Sequence, residues 1–131
     1  MVKSSYRDNQ PSAKPVYWMG WSLRDLKAFP DEVMYVIGTS LRTVQRQMTP
    51  GNAKMLKGFG ADVLEIVDRY DTDTYRLVYT VRFRKAIYVL HAFMKKAKRG
   101  IETPRSDIEL VKSRLQSAKR DYEQRYSDEA R

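Results

Sequence analysis

The spacing of apolar residues divides the chain into short strands and amphipathic helices. A short apolar run over 16–19 predicts a first strand. From Leu23 to Met48 apolar residues recur at every third or fourth position, which is the period of a helix with one buried face. Pro30 interrupts this stretch, and two acidic residues follow it, as a helix N-terminus favours. We therefore predict two helices, over about 23–28 and 30–48, that pair as a hairpin.

Three runs in the middle of the chain are rich in β-branched and aromatic residues and read as strands. They cover 62–70, 75–83 and 86–94. Short polar connections join them, so we expect an antiparallel meander, because parallel neighbours need long crossovers. After a polar, basic connector, apolar residues at helical spacing from Ile108 to Tyr122 predict a last helix that begins at Pro104.

The order of these elements indicates an α+β fold, β-α-α-β-β-β-α, in which helices cover one face of an antiparallel sheet. Residues 1–13 have few apolar side chains and are predicted to form a flexible N-terminal arm. Residues 14–131 are predicted to form a single domain, because we find no internal repeat and no low-complexity tract.

Composition excludes several functional classes. Among 131 residues there is no Cys and one His, so disulfide scaffolds, Cys-ligated zinc and thiol nucleophiles are excluded. No apolar run approaches the roughly 20 residues that span a bilayer, and the polar N-terminus does not read as a signal peptide. No Gly-rich phosphate loop and no Ser-His-Asp pattern is found. We expect a cytosolic protein without membrane partner, metal or cofactor.

The positive charge is concentrated. The formal net charge is +9, and the segment from Arg82 to Arg99 holds seven basic residues and no acid. By contrast, residues 62–81 hold five acidic and two basic residues. Basic residues interleaved with aromatics neutralise phosphates and stack on bases, which favours RNA binding. The alternative is an ordinary strand whose aromatic residues fill the core.

Strand alternation sets an arginine apart. Arg76 shares a face with Val78 and Thr80, opposite the apolar face that we expect to meet the helices. A guanidinium in a strand interior has either a functional or a structural task. It binds a substrate phosphate, or it pairs across the hairpin with Asp68 or Glu65.

The same alternation places His91, Phe93 and Lys95 on one face of the last strand, and Tyr88 and Leu90 on the other. A single His without Cys or a second His does not suggest zinc. This residue is either a hydrogen-bonded structural histidine, or a group that transfers protons or contacts RNA.

One reaction is compatible with a site made of Lys, Arg and a single His. RNA carries its own nucleophile, the 2′-hydroxyl beside each phosphodiester. Cations aimed at the phosphate stabilise the transition state directly. A Lys that is desolvated among other cations can titrate low enough to take part in proton transfer.

Several segments resemble a known family. Residues 75–81 resemble the third-strand signature of the RelE/ParE toxin superfamily. Residues 90–96, followed by Glu102-Thr103-Pro104 and Ile108-Glu109-Leu110, are similar to its phage-related, HigB-like branch, as is the early segment 22–30. The resemblance implies the toxin of a type II toxin–antitoxin pair with a RelE-like fold and a helix-turn-helix antitoxin as partner. RelE- and HigB-like members cut mRNA in the ribosomal A site without metal.

The resemblance also assigns residues. Arg76 takes the position of the catalytic arginine, and Lys95 that of a phosphate-contacting base. The predicted catalytic residues are Arg76, Lys95, Lys96 and His91, and the predicted RNA-binding residues are Lys54, Lys57, Arg69, Arg82, Phe93 and Lys98. Glu65 stands in the strand where HigB-like relatives have an arginine, so the general base stays unassigned.

Two alternative functions remain open. ParE-like members share the fold but poison DNA gyrase without catalysis, so fold alone does not choose the target. The absence of basic residues near Glu65 also fits a phage-derived protein that binds RNA or the ribosome and has lost catalysis.

Overall fold

A five-stranded sheet between two layers of helix forms the fold in the computed structural model, which describes residues 13–97 and 103–127. The predicted arm over 1–13 lies outside these residues except for Ala13, and the single domain stays a prediction. The elements are β1 (Val16–Trp18), α1 (Ser22–Lys27), α2 (Asp31–Gln45), β2 (Ala53–Met55), β3 (Val63–Tyr70), β4 (Asp73–Thr80), β5 (Ile87–Lys95) and α3 (Arg105–Arg125).

The sheet has the strand order β1-β5-β4-β3-β2 and is mostly antiparallel. The predicted meander β3-β4-β5 is confirmed, and β1 adds to β5 in parallel. Asp71 and Thr72 form the two-residue turn between β3 and β4 with φ of 50° and 72°, the left-handed conformation that suits the twist of a hairpin. The strand β2 was not predicted, because three residues are too few to show an alternating pattern.

The two predicted helices are confirmed as α1 and α2, with Pro30 directly before α2, but α1 packs against β5 and α2 against β3 more than against each other, so the predicted pairing as a hairpin is not confirmed. The buried face of α2 includes Val33, Ile37 and Leu41, which pack with Leu77 and other apolar residues of the sheet. Burial of these large apolar side chains is the main source of stability on this face.

The last helix, α3, covers the opposite face of the sheet. Its buried residues Val111, Leu115 and Ala118 pack in a second cluster with Val78 and Leu90. The α+β class is confirmed, but the prediction that the helices cover one face of the sheet is wrong. The physical reason is that β5 is apolar on both faces, since Val89 and Ala92 pack in the first cluster and Tyr88 and Leu90 in the second, so each face needs a cover.

A β-bulge in β5 explains a second correction. Val78 of β4 lies opposite His91, but the next residue, Tyr79, lies opposite Val89, so Leu90 is an extra residue. The extra residue shifts the alternation, and Tyr88 therefore lies on the α3 face together with His91. The prediction that Tyr88 and Leu90 face away from His91 is wrong for this reason.

Hydrogen bonds to the Asp121 carboxylate connect the C-terminal half of α3 to the sheet. The Tyr88 hydroxyl donates to Asp121 Oδ2 at 2.5 Å, and Arg125 Nε donates to the same oxygen at 2.7 Å. Burial raises the pKa of Tyr88 above its ordinary value, and the hydrogen bond to Asp121 adds to this. Burial acts to raise the pKa of Asp121, but the two hydrogen bonds outweigh it and hold the pKa below its ordinary value.

Candidate functional site

Strand register decides which charged side chains share the α3 face. Residues directly opposite each other in adjacent strands point to the same side of the sheet. Lys54 of β2 lies opposite Glu65 of β3, and Arg76 of β4 lies opposite Phe93 of β5. Lys95 follows two positions after Phe93 and therefore shares its face. A band of charge thus crosses the sheet beside the first turn of α3.

The centre of this band is a buried ion pair. Arg76 Nη1 donates to Glu65 Oε1 at 2.8 Å, and the two side chains are 5% and 3% exposed. Of the two pairing partners considered from the sequence, Glu65 is confirmed, whereas Asp68 lies opposite Tyr75 in the register. Removing two charges from water is costly unless they pair closely, which accounts for the short contact.

The ion pair opens into a cavity of about 340 Å³. Two of the predicted RNA-binding residues, Lys54 and Lys57, are exposed and line this cavity, so they bring two positive charges to it. Apolar side chains form much of the wall, a composition typical of sites that take a small molecule or part of a polymer. The described lining residues are Lys54, Met55, Leu56, Lys57, Glu65, Arg76, Thr103 and Ile108.

A second cavity, of about 300 Å³, also lies beside the first turn of α3. Lys95, which is 6% exposed, and the exposed Lys96 line it together with Pro104 and Ser106. The two lysines and the backbone N–H groups at the helix N-terminus bring positive charge to this cavity, and Asp107, which contacts His91, brings one carboxylate. Three of the four predicted catalytic residues therefore line a cavity at the start of α3. Arg76 lines the first cavity, and Lys95 and Lys96 line the second.

The fourth predicted catalytic residue, His91, is engaged on both ring nitrogens. Its Nε2 lies 2.6 Å from Asp107 Oδ1, and its Nδ1 lies 3.4 Å from Arg114 Nη1. The ring also stacks on Phe93, with 4.8 Å between ring centroids, and is 6% exposed. These contacts support the alternative of a hydrogen-bonded structural histidine.

Three further predicted RNA-binding residues, Arg69, Arg82 and Phe93, are not among the described residues that line the two cavities. Arg69 is exposed and lies opposite Thr74, near the start of β4. Arg82 lies beyond the other end of β4, where it donates two hydrogen bonds of 3.1 Å to the Asp62 carboxylate. Phe93 contributes the ring that stacks on His91. Lys98 lies outside the described residues.

Sequence reasoning did not identify three residues of this region as functional. Glu65 was considered only as a structural partner of Arg76 and as a departure from relatives, although its pairing with Arg76 also places its carboxylate in the wall of the cavity. Asp107 and Arg114 contact His91 across a separation of 16 and 23 residues. No local pattern predicts such contacts, because they depend on where α3 packs.

Two broader searches of the described residues give negative findings. Within 13–97 and 103–127, no group of three or more His, Cys, Asp or Glu side chains is arranged to hold a metal ion. Among the helices of the described part of the chain, none is long and apolar enough to cross a membrane.

Comparison with known protein families finds a match over most of the chain. A family model described as "Phage derived protein Gp49-like (DUF891)" matches residues 24–116, which is more than half of the chain. The matched segment begins in α1 and ends in α3, and it includes every described lining residue of both cavities. A comparison with curated proteins finds no match.

Proposed function

The chain belongs to the Gp49-like family of phage-derived proteins, and from this membership we propose that it is the toxin of a type II toxin–antitoxin pair. We further propose that it inhibits translation by cutting mRNA in the ribosomal A site. The observation that carries this proposal is the Arg76–Glu65 pair, which opens into a cavity with lysines at its edge. The site therefore combines a carboxylate, which accepts a proton, with cations, which stabilise the negative charge on a phosphodiester during cleavage.

The carboxylate supplies the general base that the sequence left unassigned. Among the described residues that line the Arg76 cavity, Glu65 is the one carboxylate. Arg76 binds its Oε1, and the other oxygen of the same group, Oε2, takes the proton from the 2′-hydroxyl of RNA. General base assistance of this kind contributes roughly 10²–10⁴-fold to a rate.

The cations act on the phosphate. The 2′-oxygen forms a bond to phosphorus and the bond to the 5′-oxygen breaks, so negative charge develops on the non-bridging oxygens. Arg76, with Lys54 and Lys57 at the cavity edge, stabilises this charge where water is partly excluded. The ammonium groups at the edge also provide the proton that the leaving 5′-oxygen takes up. Lys95 and Lys96, in the neighbouring cavity, hold the next phosphate of the strand.

The proposal implies specific partners. The ribosome presents the mRNA, so the protein acts in the cytoplasm, and its positive charge accelerates association with ribosomal RNA. A helix-turn-helix antitoxin of complementary charge neutralises the toxin in the complex. We place the catalytic unit in the single domain that the sequence predicts over 14–131.

Cleavage of mRNA by purified ribosomes tests the proposal. We expect the wild type to cut within the A-site codon, and Glu65→Gln to reduce the rate by roughly 10²–10⁴-fold. Lys54→Ala should weaken cleavage, whereas Lys119→Ala is a matched control, because Lys119 is an exposed lysine of α3 outside both cavities. If Glu65→Gln cuts at the wild-type rate, Glu65 is not the base.

A second candidate function follows from the same ion pair. Glu65 neutralises the charge of Arg76 and repels a phosphate, which favours a protein that binds RNA or the ribosome without cutting. In that case translation stops while the mRNA stays intact. Inhibition of DNA supercoiling with intact cellular mRNA would instead identify gyrase as the target.

A further inference from the structure

One helix contacts both ring nitrogens of the single histidine of the chain. His91 lies on β5, and its two ring nitrogens contact Asp107 and Arg114, which both belong to α3. The two α3 residues are seven positions apart, so they lie two turns apart on the same face of the helix. We refer to these three side chains as the His91 clasp.

The chemistry of arginine fixes the position of the ring proton. A guanidinium has five N–H donors and no acceptor, and it stays protonated in proteins. Nδ1 of His91 must therefore accept from Arg114 Nη1, and the ring proton lies on Nε2, which donates to Asp107 Oδ1. A doubly protonated ring would direct its Nδ1–H at a cation.

Arg114 also contacts two other parts of the fold, the bulge of β5 and the turn before α1. Its Nη1 also donates to the carbonyl of Leu90, the extra residue of the bulge, at 2.9 Å. Its guanidinium packs against Gly20, where an added Cβ would lie 2.7 Å from it. Burial lowers the pKa of Arg114, while the negative charge of Asp25 on α1 acts in the opposite direction. The orientation of Arg114 toward the ring is thus determined by the fold.

The other end of the clasp holds the wall of the Arg76 cavity. Asp107 lies in the first turn of α3, between Thr103 and Ile108, which both line that cavity. We propose that His91 is a positioning residue: the clasp fixes the orientation of its ring, with a proton on Nε2 that Asp107 accepts, and thereby holds the first turn of α3 beside the cavity. The effect on cleavage rests on the proposed function, but the tautomer and the anchoring do not.

Nitrogen NMR of ¹⁵N-labelled histidine tests the tautomer directly, because the chain contains one His. The wild type at neutral pH should show a protonated Nε2 and an unprotonated Nδ1. Arg114→Met removes the N–H donor and replaces it with an unbranched apolar side chain, so both tautomers of His91 should become populated. A wild-type ring protonated on Nδ1, or an unchanged spectrum in Arg114→Met, would overturn the proposal. The wild-type measurement decides even if the variant does not fold.

Two substitutions of His91 separate positioning from proton transfer. His91→Gln keeps an N–H donor for Asp107 but cannot act as an acid or base, so we expect cleavage to within roughly tenfold of the wild type. A loss of roughly 10²–10⁴-fold in His91→Gln would show that the ring transfers a proton and would overturn the positioning role.

Hydrogen exchange reports the anchoring without any RNA. The amides of Asp107 and Ile108 both donate to the Pro104 carbonyl at 3.1 Å in the first turn of α3. Their exchange should accelerate in His91→Ala and stay close to the wild type in His91→Gln. Equal exchange in the wild type and His91→Ala contradicts the clasp. If the wild-type protein does not cut mRNA, the proposed function fails, while the NMR and exchange results still decide the clasp.

Discussion

Removal of Arg76 should destabilise the protein strongly, because it leaves the carboxylate of Glu65 buried without the cation that it contacts. The two side chains are 5% and 3% exposed and lie 2.8 Å apart, so solvent screens their interaction little. At an effective dielectric constant of 20, two charges about 4 Å apart attract by about 4 kcal/mol. Breaking one partner of a buried pair typically costs about 3–5 kcal/mol. We expect Arg76→Met to lose stability in this range.

This loss is large compared with the total stability of a domain, about 5–15 kcal/mol. For a chain of this length it corresponds to a fall in Tm on the order of 10–20 °C. A loss of toxicity in Arg76→Met or Arg76→Ala therefore does not by itself identify a catalytic residue, because unfolding gives the same phenotype.

A double variant separates the two explanations. Replacing both partners by apolar residues, Arg76→Met with Glu65→Met, removes the unpaired charge and often leaves a protein as stable as the wild type. Urea denaturation followed by circular dichroism gives the free energy of unfolding for both single variants and the double variant, and hence the coupling energy. We expect the double variant to fold but not to cut mRNA.

Two results would refute this reasoning. If Arg76→Met loses less than about 1 kcal/mol, solvent reaches the Glu65 carboxylate or the carboxylate takes up a proton. If the double variant is as unstable as the single variants, the cost arises from packing and not from an unpaired charge.

Three further predictions concern other parts of the fold. Ile37→Ala should lower the free energy of unfolding by about 2–5 kcal/mol in urea denaturation, with cleavage per folded molecule unchanged, because Ile37 is fully buried in α2. Asp121→Asn should be less stable than the wild type above about pH 4, the ordinary pKa of an unfolded Asp. This difference should disappear in acid denaturation as the pH falls through the lowered pKa of Asp121, since the folded carboxylate then takes up its proton. Gly20→Ala should cost at least about 1–2 kcal/mol in thermal unfolding, because Gly20 has φ of 55° and its Cβ would displace Arg114. The same variant should alter the histidine tautomer, and an unchanged NMR spectrum would argue against the packing of Arg114 on Gly20.

The sequence alone determined the local features of this protein. The helical period from Leu23 to Met48 predicted the helices α1 and α2, and the short connections after 62–70 predicted the meander. Alternation identified Arg76 as a guanidinium in a strand interior and named Glu65 as one of two possible partners. Such features depend on residues close in the chain or on one register, and periodicity reports both.

Tertiary structure alone decided the features that join distant parts of the chain. The bulge at Leu90 places Tyr88 on the same face as His91, and no residue pattern in β5 predicts the extra residue. The packing of α3 on the second face of the sheet then brought Asp107 and Arg114 to the ring of His91. The physical reason is that these contacts form only after two separate elements pack together, so their geometry is set by the shape of the whole fold.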